Sequence, residues 1–578
     1  MLELDGNEVW DKFEFSYQSL ENDSEQELEL PFKLLVLGDF SLAGDSRPPE
    51  ELMPIAIDAE CFDRVLAAQN IELNIEVTEN LNNTGLAFLQ IQIPIAAIHD
   101  FHPKQLLRNV PYLAAYTELM CRLQVLQDAA TASIDDFTPS QQMLLSQSGV
   151  SSQMIKKAEL PFILCDLNER LYQMLDLILH HEQFQKLESI WRNLHRLVHS
   201  AQVLPSGKIE FLDICQQTLM EDFVANRDVR ESLLFDVVYF REFAQYGGQP
   251  YTALVGDYEF SRGAEDIQLL RSISHVCQAA HVPFIGGLSP AFFNAPDFCE
   301  DINDITEMVN GPRYIKWRGL QQQMQSSYIG LALPRIQLRE GYQFASGTLG
   351  VLPYEEDTRL ASSKVLMGNA SFAFAQCLIK SFQKYNICTQ ITGPIGGRVE
   401  GLREGRSAKG YVDYPLEVVF SEQKSAELSA LGLMPLSINK VNLQLTFNSA
   451  NSVRWGSVAN LSRRTDASIL DGQVEAQLPY LFVISRLAHY LKVVQRESVG
   501  SLKNSSELQA ELNRWLRRYV ADAENPAPSV RTRKPLKKAE VTVEVDPVTG
   551  NYEMSLTVVP HMKFLGNDFA LALNFIPD

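Results

Sequence analysis

Few residue patterns in this chain have a known route to chemistry. Gly393, Gly396 and Gly397, with Arg398 after them, have the glycine density of a phosphate loop. No Gly-Lys-Ser/Thr follows and the dinucleotide spacing is missing, so the segment reads as a turn. His195 and His199 stand four apart, a spacing that puts two imidazoles on one helix face for zinc. Neither is followed by the glutamate of a zinc-protease pattern, and no third ligand lies nearby in sequence, so both read as surface or interface histidines. His99 and His102, just before Pro103, read the same way. Asp39, and Asp257 with Glu259, each close an apolar run where a carboxylate can act as general base. That placement recurs too widely in α/β proteins to mark a base. No catalytic, cofactor-binding or metal-ligating residue is expected. The enzyme alternative is a nucleotide site at Gly256-Asp257 or Gly393–Gly397, which a saturable stabilisation by nucleotides would support.

The bulk properties agree. A chain of 578 residues exceeds one ordinary core. Its formal net charge of −22 excludes a surface built to follow a phosphate backbone, so no nucleic-acid partner is expected. The basic cluster Arg531–Lys538 is local. The eight cysteines are scattered without a CxxC pair, as free thiols in a reducing compartment are. The N-terminus is acidic and lacks a basic start and apolar run, and the apolar stretch Leu478–Val494 is interrupted by Arg486, His489 and Lys492. A buried amphipathic helix, no membrane insertion and a cytoplasmic location are the expectations.

The elements that position these residues are legible as three zones. An extended arm, residues 1–30, carries alternating Phe13, Phe15 and Tyr17. Residues 31–128 open with the apolar strand Phe32–Leu37. A helix Cys61–Gln69 follows with Asp58 as its cap, then strands Ile71–Val77 and Ala87–Ile93, then one helical stretch Pro103–Leu126. Residues 129–159, rich in Ser, Gln, Thr and Ala, read as a linker with room for one short helix. Residues 160–530 open with an apolar stripe at Phe184, Leu187, Ile190, Trp191, Leu194, Leu197 and Val198. Tyr251–Gly256, Ala264–Ala280 and Val282–Leu288 form a strand–helix–strand crossover. Alternation continues through Leu416–Phe420, Glu422–Leu431 and Leu433–Ile438. The fold class is α/β, with α+β elements mixed in.

Residues 531–578 change character. Val541, Val543 and Val545 alternate with polar residues, and Asp546–Asn551 supplies a turn. Tyr552, Met554, Leu556 and Val558 alternate next, then Phe569, Leu571, Leu573 and Phe575. Three antiparallel strands in series are too few to stand alone, and an open edge there accepts an extended arm. The Phe13–Tyr17 arm has the pattern of such a strand. These fourteen residues are the candidates for strand exchange between protomers.

As strings, the segments resemble two known subunits. LELPFKLLVLGDFSLAGDSRPPEE and IDAECFDRVLAAQNIELNIEV, over about residues 13–127, are similar to the small subunit of the type VI secretion contractile sheath (the VipA/TssB family). FQKLESIWRNLHRLV, FREFAQYGGQPYTALVGDYEFSRGAEDIQLLRSISHVCQAAHVPFIGG and LPYLFVISRLAHYLKVVQRE, over about residues 160–578, resemble the large subunit (VipB/TssC). The resemblance implies a non-enzymatic, self-assembling protomer. It would stack helically around an inner-tube protein, meet baseplate proteins, be knitted by donated strands, and contract to propel the tube. An AAA+ ATPase dismantles such sheaths. Here the two subunits are fused, and the linker stands where the large subunit normally carries a donated strand and the ATPase-gripped helix, which leaves recycling by the ATPase open. The alternative is a cap, terminator or baseplate-linking protein that binds ordinary sheath subunits without polymerising.

Overall fold

A computed structural model describes residues 30–42, 51–81, 85–126, 131–133, 137–147, 154–156, 159–245, 247–298, 302, 304–344, 353–356, 358, 364–402, 406–408, 411–439, 444–459, 476–498, 505–521, 523, 526, 530, 534–545, 552–560 and 571–575. The arm residues Phe13, Phe15 and Tyr17, the turn Asp546–Asn551 and Phe569 lie outside them.

Every residue of β1 (Phe32–Gly38) is buried. A strand apolar on both faces belongs in the middle of a parallel sheet, and β1 sits there. The short β2 (Ile55–Ile57) and the long hairpin β3 (Ile71–Leu81) and β4 (Gly85–Ile95) come next. They are followed by β5 (Gly207–Asp213), β6 (Ala253–Phe260), β7 (Phe284–Leu288), β8 (Ile329–Leu333), β9 (Met434–Asn439) and β10 (Gln444–Phe447). The main sheet runs β10-β9-β8-β7-β6-β1-β5-β2. Its inner pairings are parallel, and the outermost strand at each end is antiparallel. Register pairs Val36 with Phe211 on one side and with Val255 on the other. The units read at 31–128 and 160–530 therefore share one sheet.

Helix α1 (Phe62–Ala68) begins one residue later than expected, because Asp58 ties down the preceding turn by accepting from Glu60 N at 2.9 Å and Cys61 N at 2.7 Å. The single helix expected over 103–126 is two, α2 (Pro103–Asn109) and α3 (Pro111–Leu126). Pro111 pushes Val110 into an extended conformation, which ends α2. In the linker, α4 (Pro139–Gln147) is bracketed by Thr131–Ser133 paired with Met154–Lys156. Helices α5 (Leu160–Leu179) and α6 (Glu182–Ala201) pack on β3, whose Ile71, Leu73, Ile75 and Val77 turn inward. The whole stripe of α6 is buried, and Gly38 is glycine because a Cβ there would lie 2.4 Å from Ile190.

Helix α7 (Ala264–Ala280) connects β6 to β7 as the expected parallel crossover, and α8 (Ala370–Tyr385) covers β6, β7 and β8. Leu416–Phe420 is not a strand. It makes one isolated bridge, Leu416 to Ile336, flanked by bonds from Gln337 N to Pro415 O and Glu417 N to Arg335 O. Pro415 has no N–H to extend a ladder, and the Glu417 carboxylate turns to Arg335 at 3.0 Å.

The seam between the shared halves is aromatic and ionic. Trp191 Nε1 donates to Phe40 O at 2.9 Å, and Phe40, Phe62 and Phe211 pack on or beside its ring. Lys33 on β1 is buried, 2.7 Å from Glu242, 3.2 Å from Glu210 and over the Tyr251 ring. A buried cation survives only with partners of this kind.

Candidate inter-protomer interface at the C-terminal sheet

The chain's last helices and strands form a second core. Helix α9 (Leu478–Ser498) and helix α10 (Ser505–Leu516) pack against a three-stranded sheet of β11 (Leu536–Val545), β12 (Tyr552–Pro560) and β13 (Leu571–Phe575), in that order and antiparallel. Tyr490 stacks on Trp515 with ring centroids 4.1 Å apart. Leu508, Leu512 and Leu516 meet Val541, Met554 and Leu556 in one apolar cluster, which also takes in Leu30 and Ile387.

The polar interruptions of α9 bind this module to the main body. His489 Nε2 lies 3.0 Å from Ala280 O, and Lys492 Nζ donates to Ala279 O at 2.9 Å, at the carbonyl end of α7 where a helix favours a cation. Burial holds the His489 imidazole down at about 3, so it is neutral. Arg496 donates to the carbonyls of Glu242, Gln245 and Gly248. Arg486 donates to Pro31 O at 3.0 Å and to Leu30 O. Leu30 is therefore held within the C-terminal module.

Of the residues expected to exchange strands, Val541, Val543, Met554, Leu556 and Val558 are buried against the module's own helices. Val545, Tyr552, Leu571, Leu573 and Phe575 lie in the strands, with Val545 paired to Tyr552 and Leu573 to Leu556. The residues that cover the outer backbone edge of β11 were not singled out from sequence. Asn513 on α10 donates to Val541 O at 2.8 Å and accepts from Val541 N at 2.9 Å, and Gln509 accepts from Val543 N at 3.3 Å. An i, i+4 pair of amides facing a helix flank is the only sequence signal for this.

The chemistry candidates resolve into structure. Gly393–Gly396 forms one helical turn with Gly393 at φ +74, and Gly397 O accepts from Phe447 N at 2.9 Å beside β10. His195 and His199 stack at 4.0 Å with Phe62 edge-on to His195, whose imidazole is held at about 4 by burial and by His199. Among the described residues no three His, Cys, Asp or Glu side chains are arranged to hold a metal ion. The winding of the sheet reverses between β1 and β6, the place where doubly wound sheets open a ligand crevice. A cleft of about 530 Å³ lies there, lined by Asp39, Asp257 and Glu259. Burial, then Glu259 and Asp39, push the Asp257 carboxyl well above its ordinary range. The adjacent cations are paired, Lys186 to Glu182 at 2.8 Å and Arg335 to Glu417 at 3.0 Å.

Three family matches tile the chain. Residues 11–162 match Type VI secretion system, VipA; residues 162–454 match VipB, the EvpB/VC_A0108 tail sheath N-terminal domain; residues 467–575 match its tail sheath gpW/gp25-like domain. The chain belongs to the type VI secretion sheath family, with a VipA unit and a VipB unit fused in one polypeptide. It is 34% identical over 450 residues to the type VI secretion system sheath protein TssC1 of Pseudomonas aeruginosa, covering 75% of this chain and 89% of that one. Two solved structures align at 9% identity. The PVC sheath complex of an extracellular contractile injection system, in its contracted state, has a TM-score of 0.33 over 66% of this chain and 75% of its own. The anti-feeding prophage baseplate has a TM-score of 0.32 over 66% of this chain and 77% of its own. In this fusion subunit the VipA unit supplies β1 and the VipB unit both of β1's neighbours. Among the described residues no helix is long and apolar enough to cross a membrane.

Proposed function

We propose that this fusion subunit is a complete protomer of a contractile type VI sheath. It assembles helically with its own copies around an inner-tube protein in the bacterial cytoplasm, contacts the baseplate, and contracts to drive the tube. It acts without catalysis or cofactor. The observation that carries this reading is the shared sheet. A VipA strand seated between two VipB strands makes one chain the equivalent of a small-subunit and large-subunit pair, so no separate partner subunit is needed to complete the fold. Copies are linked by the arm around Phe13, Phe15 and Tyr17 adding to the C-terminal sheet of a neighbour. Residues 1–30 then act as the arm, 31–128 and 160–530 as the joint body, 129–159 as the connection and 531–578 as the acceptor.

Electron microscopy of the purified protein, with and without the inner-tube protein, tests the proposal. Tubular polymers are expected. Monodisperse monomers under both conditions overturn it, and a protein that binds separate sheath subunits while failing to polymerise is a cap.

A further inference from the structure

A cleft of about 390 Å³ opens on the seam between the two fused units and shares no residue with the acidic cleft at β1 and β6. Its walls come from both units. His99, His102 and Lys104 belong to the VipA match, and Arg192, His195 and Arg196, on successive turns of α6, to the VipB match. No carboxylate lines it. Cationic and imidazole side chains with no acid among them favour a negative charge.

Arg196 is held in place but not neutralised. Its Nη2 donates to Gln376 Oε1 on α8 at 2.8 Å, and Gln376 is fixed in turn by donating from Nε2 to Ser200 Oγ at 3.0 Å. The Arg196 Nε and Nη1 are shielded from solvent and have no hydrogen-bond partner among the described residues. Burial pulls the guanidinium down to about 10, and no carboxylate pulls it back. A shielded cation without a counter-charge is costly. Lys33 and Arg339, in the same fold, each have two carboxylates. The acids around the cleft are committed elsewhere. Glu188 takes Arg192 and Arg339, Asp63 accepts from Ile98 N at 3.1 Å, and Asp100 accepts from Ala96 N and Ala97 N at 2.9 Å.

His102 adds an oriented donor. Its Nδ1 accepts from Lys104 N at 3.1 Å, so the neutral ring carries its proton on Nε2. Burial, then Lys104, Arg192 and Arg339, hold that imidazole below its ordinary range, which marks the field there as positive.

We infer that this cleft binds a small oxyanion of the phosphate class, which neutralises Arg196 and bridges the VipA and VipB units. Lys104 and the His102 Nε2–H supply charge and a donor from one unit, and Arg196 supplies charge from the other. A ligand held by both units stabilises only their joined, folded state, so it adds a ligand-dependent hold to the shared sheet. The cleft has room beyond one such ion, with Ile98 and Leu338 as its apolar wall. The free ion and a phosphate monoester with a small organic part share the chemistry it asks for.

Full-length protein dialysed free of phosphate tests this. Inorganic phosphate, exchanged for chloride at constant ionic strength, should raise the melting temperature to a plateau, and equilibrium dialysis should find about one phosphate per chain. A rise without a plateau is general exclusion of phosphate from the protein surface and overturns the inference. Arg196→Met removes the shielded charge. It should melt no lower than the parent without phosphate, and phosphate should no longer raise its melt. Should it fail to fold, Lys104→Gln, at an exposed side chain, carries the test. That change should weaken phosphate binding about tenfold, the effect of one charge-assisted hydrogen bond. Glycerol phosphate separates the two sources: tighter binding than phosphate identifies a monoester, and equal or weaker binding the free ion. A plateau with the same midpoint in the parent and both variants puts the anion elsewhere and overturns the inference, as does a melt that phosphate leaves unchanged.

Discussion

At the scale of single residues the chain keeps its charges inside by surrounding them. Glu188 is fully buried on α6 and takes Arg192 at 2.7 Å and Arg339 at 2.9 Å. Arg339 also reaches Glu356 at 2.7 Å, and Glu356 accepts from Tyr342 N at 2.8 Å and lies 3.3 Å from His180 Nε2. Desolvation alone would raise the Glu356 carboxyl, but His180 and Arg339 outweigh it and hold it below its ordinary range. Replacing Arg339 by Met leaves two buried carboxylates short of a partner, and chemical denaturation should show a loss of about 3–5 kcal/mol. A loss under 1 kcal/mol would mean the network is hydrated. Asp257 behaves in the opposite sense. Its folded carboxyl titrates above the unfolded one, so unfolding releases a proton as pH rises between the two values and stability falls there. Asp257→Asn should therefore melt higher than the parent at pH 7, and the gap should close below about pH 4, where both states of the parent are protonated. An identical gap at both pH values would show that packing, and not charge, sets the difference. The same variant tests the cleft for chemistry: nucleotides should stabilise neither protein.

At the scale of elements, edge chemistry decides how the C-terminal strands behave. Asn513→Ala leaves the Val541 N–H and C=O without their amide partner beside the helix cluster. Thermal or urea unfolding should register a loss of about 1–3 kcal/mol, and hydrogen exchange at Val541 should speed up more than at Leu556 in β12, the sheet's middle strand. Equal protection at both would mean that the amides do not seal the edge. The contrast also marks what the sequence makes legible. Alternation at Val541, Val543, Met554, Leu556 and Val558 identifies strands, and the period of Phe184 to Val198 identifies α6 and its buried face, because both patterns are local. Pro111 marks a break for a local reason too. The amide seal depends on Asn513 and Val541, 28 residues apart, and neither residue type announces it. Leu416–Phe420 has the composition of a strand, but Pro415 and the Glu417–Arg335 pair, a tertiary contact, override it.

Over the whole molecule, the position of β1 is the least legible feature and the most consequential. Its burial on both faces follows from seven residues, Phe32–Gly38. Its neighbours lie some 175 and 219 residues downstream, as in the pairing of Phe32 with Gly207 and of Leu34 with Ala253. No periodicity encodes a pairing at that distance. Resemblance to two separate families points, if anything, to two domains side by side. Strand β1 is instead the VipA unit's contribution to the middle of a VipB sheet. Removing it would expose two parallel strand edges at once, and the Trp191 and Lys33 contacts would go with it. The covalent linker is then a tether on a body already held by its core, and cutting it should change little. A protease site placed within residues 148–153 and cleaved after folding should leave both fragments co-eluting as one particle, with a melting temperature within a few degrees of the intact chain. They should part only in denaturant. If the fragments separate in native buffer, the shared sheet is not what holds the two units together. Assembly by the cleaved particle then becomes informative. Polymer formed at the intact rate would show that fusion acts by keeping the two units at equal number and high local concentration during folding, with no part in the links between copies.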